Sequence, residues 1–441
     1  MRNKSRWIVI LSFIVIGWSV LSYASNVAPP SPKSKSASTE LPGALAHFAG
    51  NLSCSATSCH GAVKPREGAD IGRNEFTIWL AHDQHRNAYN TLLGERAKTI
   101  AKNLAPLNGG KVIPTHEDER CLACHTTPQA AFKTDDPRVL EFRKSQGIGC
   151  EACHGPANQG KGWLAIHTTD QVAEGMVDVS NLGQQAKMCA GCHLGAPPDT
   201  ENGIPARDLN HDLMAAGHPR LIFEFSSYRL NMPPHWNVNK KSKPDESKVW
   251  AMGQIATAQA QIDLTVYRAG NQDEVWPEFS ETGCFACHAD FQPFPSRSTA
   301  GYYGKRTPGD LTYNEWYLSM VEPISAHFNL PGSKATSSEI DAFALAMGRS
   351  RTKRSEIVAK GKAISEKLGA WLHRLSKADH DSRSLLQAIV KSKPITGISN
   401  RSWDVNLQLV LGLAALHQDW YNKRADKTLR ADQEDDSTRI S

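Results

Sequence analysis

Hydrophobic and polar positions divide the 441-residue chain into stretches of different character. At the N-terminus, Arg2, Lys4 and Arg6 precede an apolar run from Trp7 to Leu21, broken only by Ser12, Gly17 and Ser19. Ser22-Tyr23-Ala24 follows with a small-x-small pattern. This order predicts a secretory signal over residues 1–24. The run is short for a membrane span, and an uncleaved anchor is the alternative. No lipobox cysteine follows. Residues 25–40 are rich in Pro, Ser and Lys and read as a linker. From 41 to 336 apolar residues are scattered, with Gly155-Pro156, Pro197-Pro198 and Pro233-Pro234 marking loops between short helices. The exception is 246–269, where Trp250, Ile255, Ile262 and Val266 recur at near-helical spacing among alanines.

Helical periodicity dominates from 337 to 421. Ala344, Ile357, Ile364, Leu368, Leu372 and Leu375 mark one amphipathic stretch, and Ser382–Val390 and Trp403–Trp420 mark two more. Asn400 and Ser402 are candidate caps for the last. The pattern predicts a small helical bundle packed on the region before it. Residues 422–441 are charged and almost without apolar side chains, which predicts a disordered tail. The expected fold class is mainly α: a loop-rich core over 41–336, a C-terminal helical bundle and little or no β.

Composition adds one constraint. Apolar residues are 40% of a chain long enough to need a substantial core. Something other than side chains is therefore expected to fill part of the interior. The formal net charge is +5, and three of the basic residues lie in the predicted signal, so +2 is left without it. That balance does not make a nucleic-acid footprint.

The ten cysteines supply the filler. Four pairs are C-x-x-C-H: Cys121/Cys124/His125, Cys150/Cys153/His154, Cys189/Cys192/His193 and Cys284/Cys287/His288. The fifth is wider, Cys54-Ser-Ala-Thr-Ser-Cys59-His60. The C-x-x-C-H spacing is the attachment signature of haem c. Two thiols add across the two vinyl groups of one porphyrin, and the adjacent imidazole reaches the iron from one face. Disulfides and structural zinc also pair cysteines, but neither requires a histidine after each second cysteine. Five covalently bound haem c groups are expected. Since haem attachment takes place on the periplasmic side of bacterial membranes, a periplasmic location follows from the signal. Five haems of about one net negative charge each would bring the holoprotein to about −3, again against nucleic-acid binding.

Each iron has a second axial position. His373, His380 and His417 lie far from any motif and read as surface or helix-face residues. Nine histidines compete for the distal positions: His47, His82, His85, His116, His167, His211, His218, His235 and His327. The favoured ones are His85, His167, His211 and His218. Trp79–Tyr89 looks helical, which would put His82 and His85 one turn apart on one face. His211 and His218 are two turns apart, although Gly217 and Pro219 oppose a continuous helix between them. Met188 and Met214 are alternative ligands.

Several stretches resemble the bacterial multihaem cytochromes related to tetrahaem cytochrome c-554 and, more distantly, to hydroxylamine oxidoreductase and pentahaem nitrite reductase. They are Trp79–Tyr89, the motif at Cys121, Gly149–Pro156, the motif at Cys189, Asn210–Leu221, and Trp276-Pro-Glu-Phe leading to Cys284. The resemblance covers roughly residues 45–320. It implies that the D-x-H-x-x-A and A-G-H-P histidines, His85 and His218 here, are distal ligands. The C-x-x-C-K site of the nitrite reductases is absent, and the haem count differs from that of hydroxylamine oxidoreductases. The resemblance thus implies a haem-core fold and electron transfer rather than either catalysis.

Electron transfer between redox proteins, or with a membrane respiratory complex, is the leading expectation. Membrane contact would be peripheral or through an uncleaved anchor. Two alternatives stand beside it: an enzyme acting on a small nitrogen or sulfur species at an open haem, that of His60 or His288, and a structural subunit docking through its C-terminal helices. The tyrosines and tryptophan of 289–335 (Tyr302, Tyr303, Tyr313, Trp316, Tyr317) read as core or haem-edge cover.

Overall fold

The computed structural model describes residues 48–439 except 67–70, 128–140, 143, 159–161, 165–169, 201–203, 237–244, 274, 289–309, 350–351, 380 and 393–402. The signal, the linker, His47, His167, His380, Tyr302, Tyr303, Asn400 and Ser402 lie outside the described residues. In chain order the α-helices are α1 (Glu75–His82), α2 (Glu95–Leu104), α3 (Glu119–His125), α4 (Cys150–His154), α5 (Leu182–His193), α6 (His211–Ala215), α7 (Phe225–Asn231), α8 (Glu246–Gly270), α9 (Phe285–His288), α10 (Val321–His327), α11 (Ser333–Gly348), α12 (Arg354–Lys377), α13 (Ser382–Val390) and α14 (Trp403–Arg439). β pairing among the described residues is limited to isolated bridges: Ala196 with Arg207, Asp199 with Ile204 and Thr282 with Tyr313. The fold is mainly α.

Helix α8 is the axle. Asp245 caps it by accepting the N–H groups of Ser247 and Lys248, and 25 residues give it a length of about 37 Å. Val249, Trp250, Ile255 and Ile262 are all fully buried, because α8 is covered from several sides, most extensively by α12 and α5. Small residues permit the close approach. A side chain at Gly253 would meet Phe225, and one at Gly361 of α12 would meet Val266 and Ile262. Amide groups on α8 reach across to its neighbours: Gln254 donates to Gln408, which donates to the Phe223 carbonyl, and Gln261 donates to the Asn314 carbonyl. Near its C-terminus, buried Arg268 bonds Asp208 and Glu281, and Thr265 donates to Glu281 at 2.8 Å.

The C-terminal helices share this core rather than forming their own. Ile357, Ile364, Leu368, Trp371 and Leu375 of α12, Leu385 and Ile389 of α13, and Leu409 and Leu416 of α14 join one cluster with α8, Phe223, Phe225, Tyr313, Trp316 and Tyr317. Packing thus runs without a break across residue 336, where two domains were expected to meet. The stretch expected as one helix from Ala344 to Leu375 is two, because α11 ends at Gly348 and Arg349 turns to extended backbone before α12 begins. The tail is also different from its expected disorder: α14 runs on to Arg439. Its later residues are mostly good helix formers, and Lys423 anchors the emerging segment by pairing with Asp245 and Asp419.

Candidate metal centres

Three histidines of the C-x-x-C-H motifs each face another imidazole. His193 at the end of α5 faces His85, with ring centroids 6.1 Å apart and planes crossing at 75°. His125 at the end of α3 faces His218 at 6.4 Å and 79°. His154 at the end of α4 faces His235 at 6.4 Å and 77°. The rings are too far apart for contact with each other and suit a metal between them. Two imidazoles bound at about 2.0–2.1 Å through one ring nitrogen each would hold their centroids on the order of 6 Å apart.

Hydrogen bonds fix which nitrogen is free. His85 Nδ1 bonds Asp83 Oδ1 at 2.8 Å. His125 Nδ1 bonds the Ala88 carbonyl at 2.9 Å and Thr91 Oγ1 at 3.0 Å, and His218 Nδ1 bonds the Pro219 carbonyl at 2.8 Å. Each donor N–H on Nδ1 leaves the Nε2 lone pair for a metal. Burial depresses His154 and His193 to about 4, so both rings are neutral and able to ligate at neutral pH. His85 instead is held above its ordinary value, chiefly by the Asp83 hydrogen bond.

Local chemistry positions these rings. Asp118 caps α3 by accepting the Arg120 N–H, and Asn181 caps α5 by accepting those of Gly183 and Gln184. In each motif helix both cysteines and the histidine fall within about one turn and a half. Asp83 ends α1 and starts a 3₁₀ turn, Gln84–Asn87, by accepting the His85 N–H. His82 and His85 are therefore not on one continuous helix as expected, and His82 is exposed. Gly147, at φ +62°, packs on the backbone carbonyls of His85 and Arg86, where a Cβ would come within 2.7 Å. Gly217, at φ +118°, turns the chain from α6 into His218.

The wider first motif folds compactly. Cys59 N–H donates to the Ala56 carbonyl at 2.8 Å and His60 N–H to the Cys54 carbonyl at 3.3 Å. His60 Nδ1 bonds Glu75 Oε2 at 2.8 Å.

The fifth motif differs from the others in its setting. Its backbone closes in the same way, with Cys287 N–H and His288 N–H both donating to the Cys284 carbonyl, at 3.2 and 2.9 Å. Cys287, however, is exposed, whereas the other nine cysteines are buried or half-buried. The cause is local. Helix α9 is a single turn of four residues, and Cys287 and His288 at its end both face outward. As a haem anchor Cys287 therefore rests on the C-x-x-C-H spacing alone, without the protein packing that surrounds Cys153 and Cys192.

Contacts between motifs order them in space. Cys150 N–H donates to Asn51 Oδ1 at 3.0 Å, three residues ahead of Cys54, and the His125 ring bonds the Ala88 carbonyl, three residues beyond the His85 that faces His193. Buried Glu151, inside the third motif, accepts the N–H groups of Ala49 and Gly50, just ahead of the first. The fourth motif rests on Phe223, which stacks on His193 at 5.6 Å and 14°.

The remaining candidates are placed as follows. His211 meets the edge of Phe279 and donates its backbone N–H to Glu278, on the segment leading into Cys284. His116 lies 3.6 Å from Glu117, and His327 lies against Phe328. His235 is the residue that sequence reasoning did not favour. Its signal was local: Pro233-Pro234 before it and Trp236 after it, 5.2 Å from its ring.

Covalent haem c fits this donor set. Each motif offers two thiols beside a histidine, and three motif histidines have a second imidazole at the separation an iron requires. Residues 53–155, which hold the first three motifs, match the family model for cytochrome c554 and c-prime. Over those residues the chain is similar to that family, which supports a multihaem c-type cytochrome. No curated protein and no solved structure matched the cytochrome. The family match implies covalently bound haem c with iron.

Proposed function

We propose that this cytochrome is an exported electron carrier with five covalently bound haem c groups. The single observation that carries the reading is the set of three opposed histidine pairs. Two strong imidazole ligands favour electron transfer, because a haem that does chemistry keeps one position open or weakly held. Bound haem supplies iron that alternates between ferric and ferrous states. The residues do the rest. His125/His218, His154/His235 and His193/His85 would hold the iron as paired ligands, and Nδ1 hydrogen bonds orient His85, His125 and His218. The motif cysteines anchor the porphyrin edges. His60 and His288 ligate the other two sites from one face, and His211, beside Phe279, is suited to the distal side of the His288 site.

The contacts between motifs support an order of transfer: the His60 site beside that of His154, and that of His125 beside that of His193. Ile148, two residues ahead of Cys150, donates its N–H to the carbonyl of His85 at 3.0 Å, which supports adjacency of the two middle sites. The partners are other redox proteins or a membrane respiratory complex. Export rests on the N-terminal basic, apolar and small-residue pattern. Among the described residues no helix is long and apolar enough to cross a membrane.

Mass measurement of the purified chain tests the cofactor count, with five haem additions expected and fewer refuting it. Electron paramagnetic resonance of the ferric protein tests the role. At least three low-spin bis-histidine signals are expected, and a spectrum dominated by high-spin iron with turnover of nitrite or hydroxylamine would refute a carrier.

A further inference from the structure

The three histidine pairs look alike in ring geometry but differ in what stands behind the rings. Behind His85 is a carboxylate. Asp83 Oδ1 lies 2.8 Å from His85 Nδ1, and the same oxygen accepts the His85 backbone N–H at 2.9 Å. Asp83 is itself only 5% exposed, so water screens it little. Behind His125 and His218 are neutral acceptors, the Ala88 and Pro219 carbonyls. Behind His154, among the described residues, no acceptor meets its buried Nδ1, and the buried carboxylate of the same motif, Glu151, is turned instead to the N–H groups of Ala49, Gly50 and Ala157. The ring opposite His154, His235, reaches the Pro233 carbonyl only at 3.4 Å. The first motif repeats the carboxylate arrangement, with Glu75 Oε2 2.8 Å from His60 Nδ1.

An anionic acceptor on Nδ1–H makes the imidazole a stronger donor to the metal. Its charge also favours the more positive state of a nearby centre. Both effects stabilise ferric over ferrous iron and lower the potential. A buried site lacking such an acceptor is tilted the other way, since burial disfavours the more highly charged state. One electron enters at each iron, ferric to ferrous, and the Nδ1 proton stays where it is.

We propose that Asp83 and Glu75 are tuning residues that hold the His193/His85 and His60 sites at low potential, leaving His154/His235 as the highest-potential site of the three histidine pairs. In the order of transfer above, that site lies between the two carboxylate-tuned ones. Among the three pairs it would fill first and act as a store between two sites that release electrons readily. This inference rests on the ligand assignments under Proposed function.

The test is a potentiometric titration of the purified holoprotein followed by electron paramagnetic resonance. Asp83→Asn removes the charge yet keeps an oxygen able to cap His85. It should raise the midpoint of one low-spin signal and leave that signal low-spin. Glu75→Gln should raise the midpoint of a different iron. His235→Ala should convert to high spin the paired signal that has the highest midpoint in the native protein. If no midpoint rises in Asp83→Asn or Glu75→Gln, or all rise together, the tuning role is overturned. If His235→Ala removes the lowest-midpoint signal of the paired sites, the ranking is overturned. Should the Asp83 variant fail to assemble, Glu75→Gln decides the tuning and His235→Ala the ranking. Failure of the ligand assignments is seen separately, as missing bis-histidine signals in the native protein, and it overturns both.

Discussion

Residues 48–236 and residues 246–423 solve the problem of an interior in different ways. The first region has short helices, many turns and small apolar clusters: Ile100, Leu104, Leu213 and Ala216 in one, Tyr89, Leu92 and Leu122 in another. Its long-range ties are largely polar, such as Trp79 Nε1 to the Ile148 carbonyl at 2.9 Å, Tyr89 to Glu141 at 2.7 Å and Glu151 to Ala49 and Gly50. The second region is built on α8 and α12 with a continuous side-chain core. On the proposed reading, a chain with modest apolar content has one region whose core is protein and another whose core is cofactor. Helix α5 joins them. Ala186 and Ala190 lie in the large core, while Cys189, Cys192 and His193 on the same helix belong to a metal centre.

The largest effect should come from withholding haem. With all ten motif cysteines changed to serine, residues 75–236 are expected to lose amide-exchange protection by a factor on the order of 100 or more, because little else fills that interior. Amides in the middle of α8 and α12 should keep theirs. Equal loss in both regions would show that they fold as one cooperative unit and would break the comparison.

Next in size is a cavity in the protein-filled core. Leu368 is fully buried against α8, and Leu368→Ala should cost about 2–5 kcal/mol in denaturant unfolding of the holoprotein. The visible spectrum of the native state should not change. A spectral change as large as that from loss of a distal histidine would mean that the large core positions the haem ligands directly.

A distal ligand gives an effect that is local in space. His218→Ala should turn one low-spin ferric haem high-spin and leave the others untouched, whereas His116→Ala should change no haem signal. If both variants behave alike, the ring opposite His125 is not a ligand.

The two regions also differ in how readable they were. The 3.6-residue recurrence of Trp250, Ile255, Ile262 and Val266 located α8 almost to its ends, since burial of a long helix writes itself into the apolar pattern. The motif histidines stand out by spacing, because the attachment signature is local. That same spacing carries no information about surroundings, so nothing in it set exposed Cys287 apart from the enclosed thiols of the other motifs. Distal ligands obey no such spacing. His235 reaches His154 across 81 residues of chain, and what brings it there is the packing of loops around a cofactor. The acceptors behind the rings were less legible still: the Ala88 and Pro219 carbonyls have no side-chain identity to read, and Asp83 showed only as part of a D-x-H pattern. Charge misled at the C-terminus, where helix-forming residues and the Lys423 anchor to Asp245 and Asp419 carry α14 on to Arg439.

The smallest expected effect falls on the helix shared by both regions. The Asn181 side chain accepts the N–H groups of Gly183 and Gln184 at the start of α5, at 3.0 and 3.2 Å. Asn181→Ala leaves those donors without their cap and should cost about 1 kcal/mol. The site of that loss is what matters. Gly183 packs beside Met252 of α8 and Leu372 of α12, so fraying there disturbs the edge of the protein core first. His193 lies at the other end of α5, three turns away, held by Phe223 and Tyr228. The expected outcome is a lower unfolding midpoint with the midpoint potential of the His193/His85 signal unchanged. If that potential moves while stability does not, α5 transmits strain between the regions, and the boundary between protein core and cofactor core is not an energetic one.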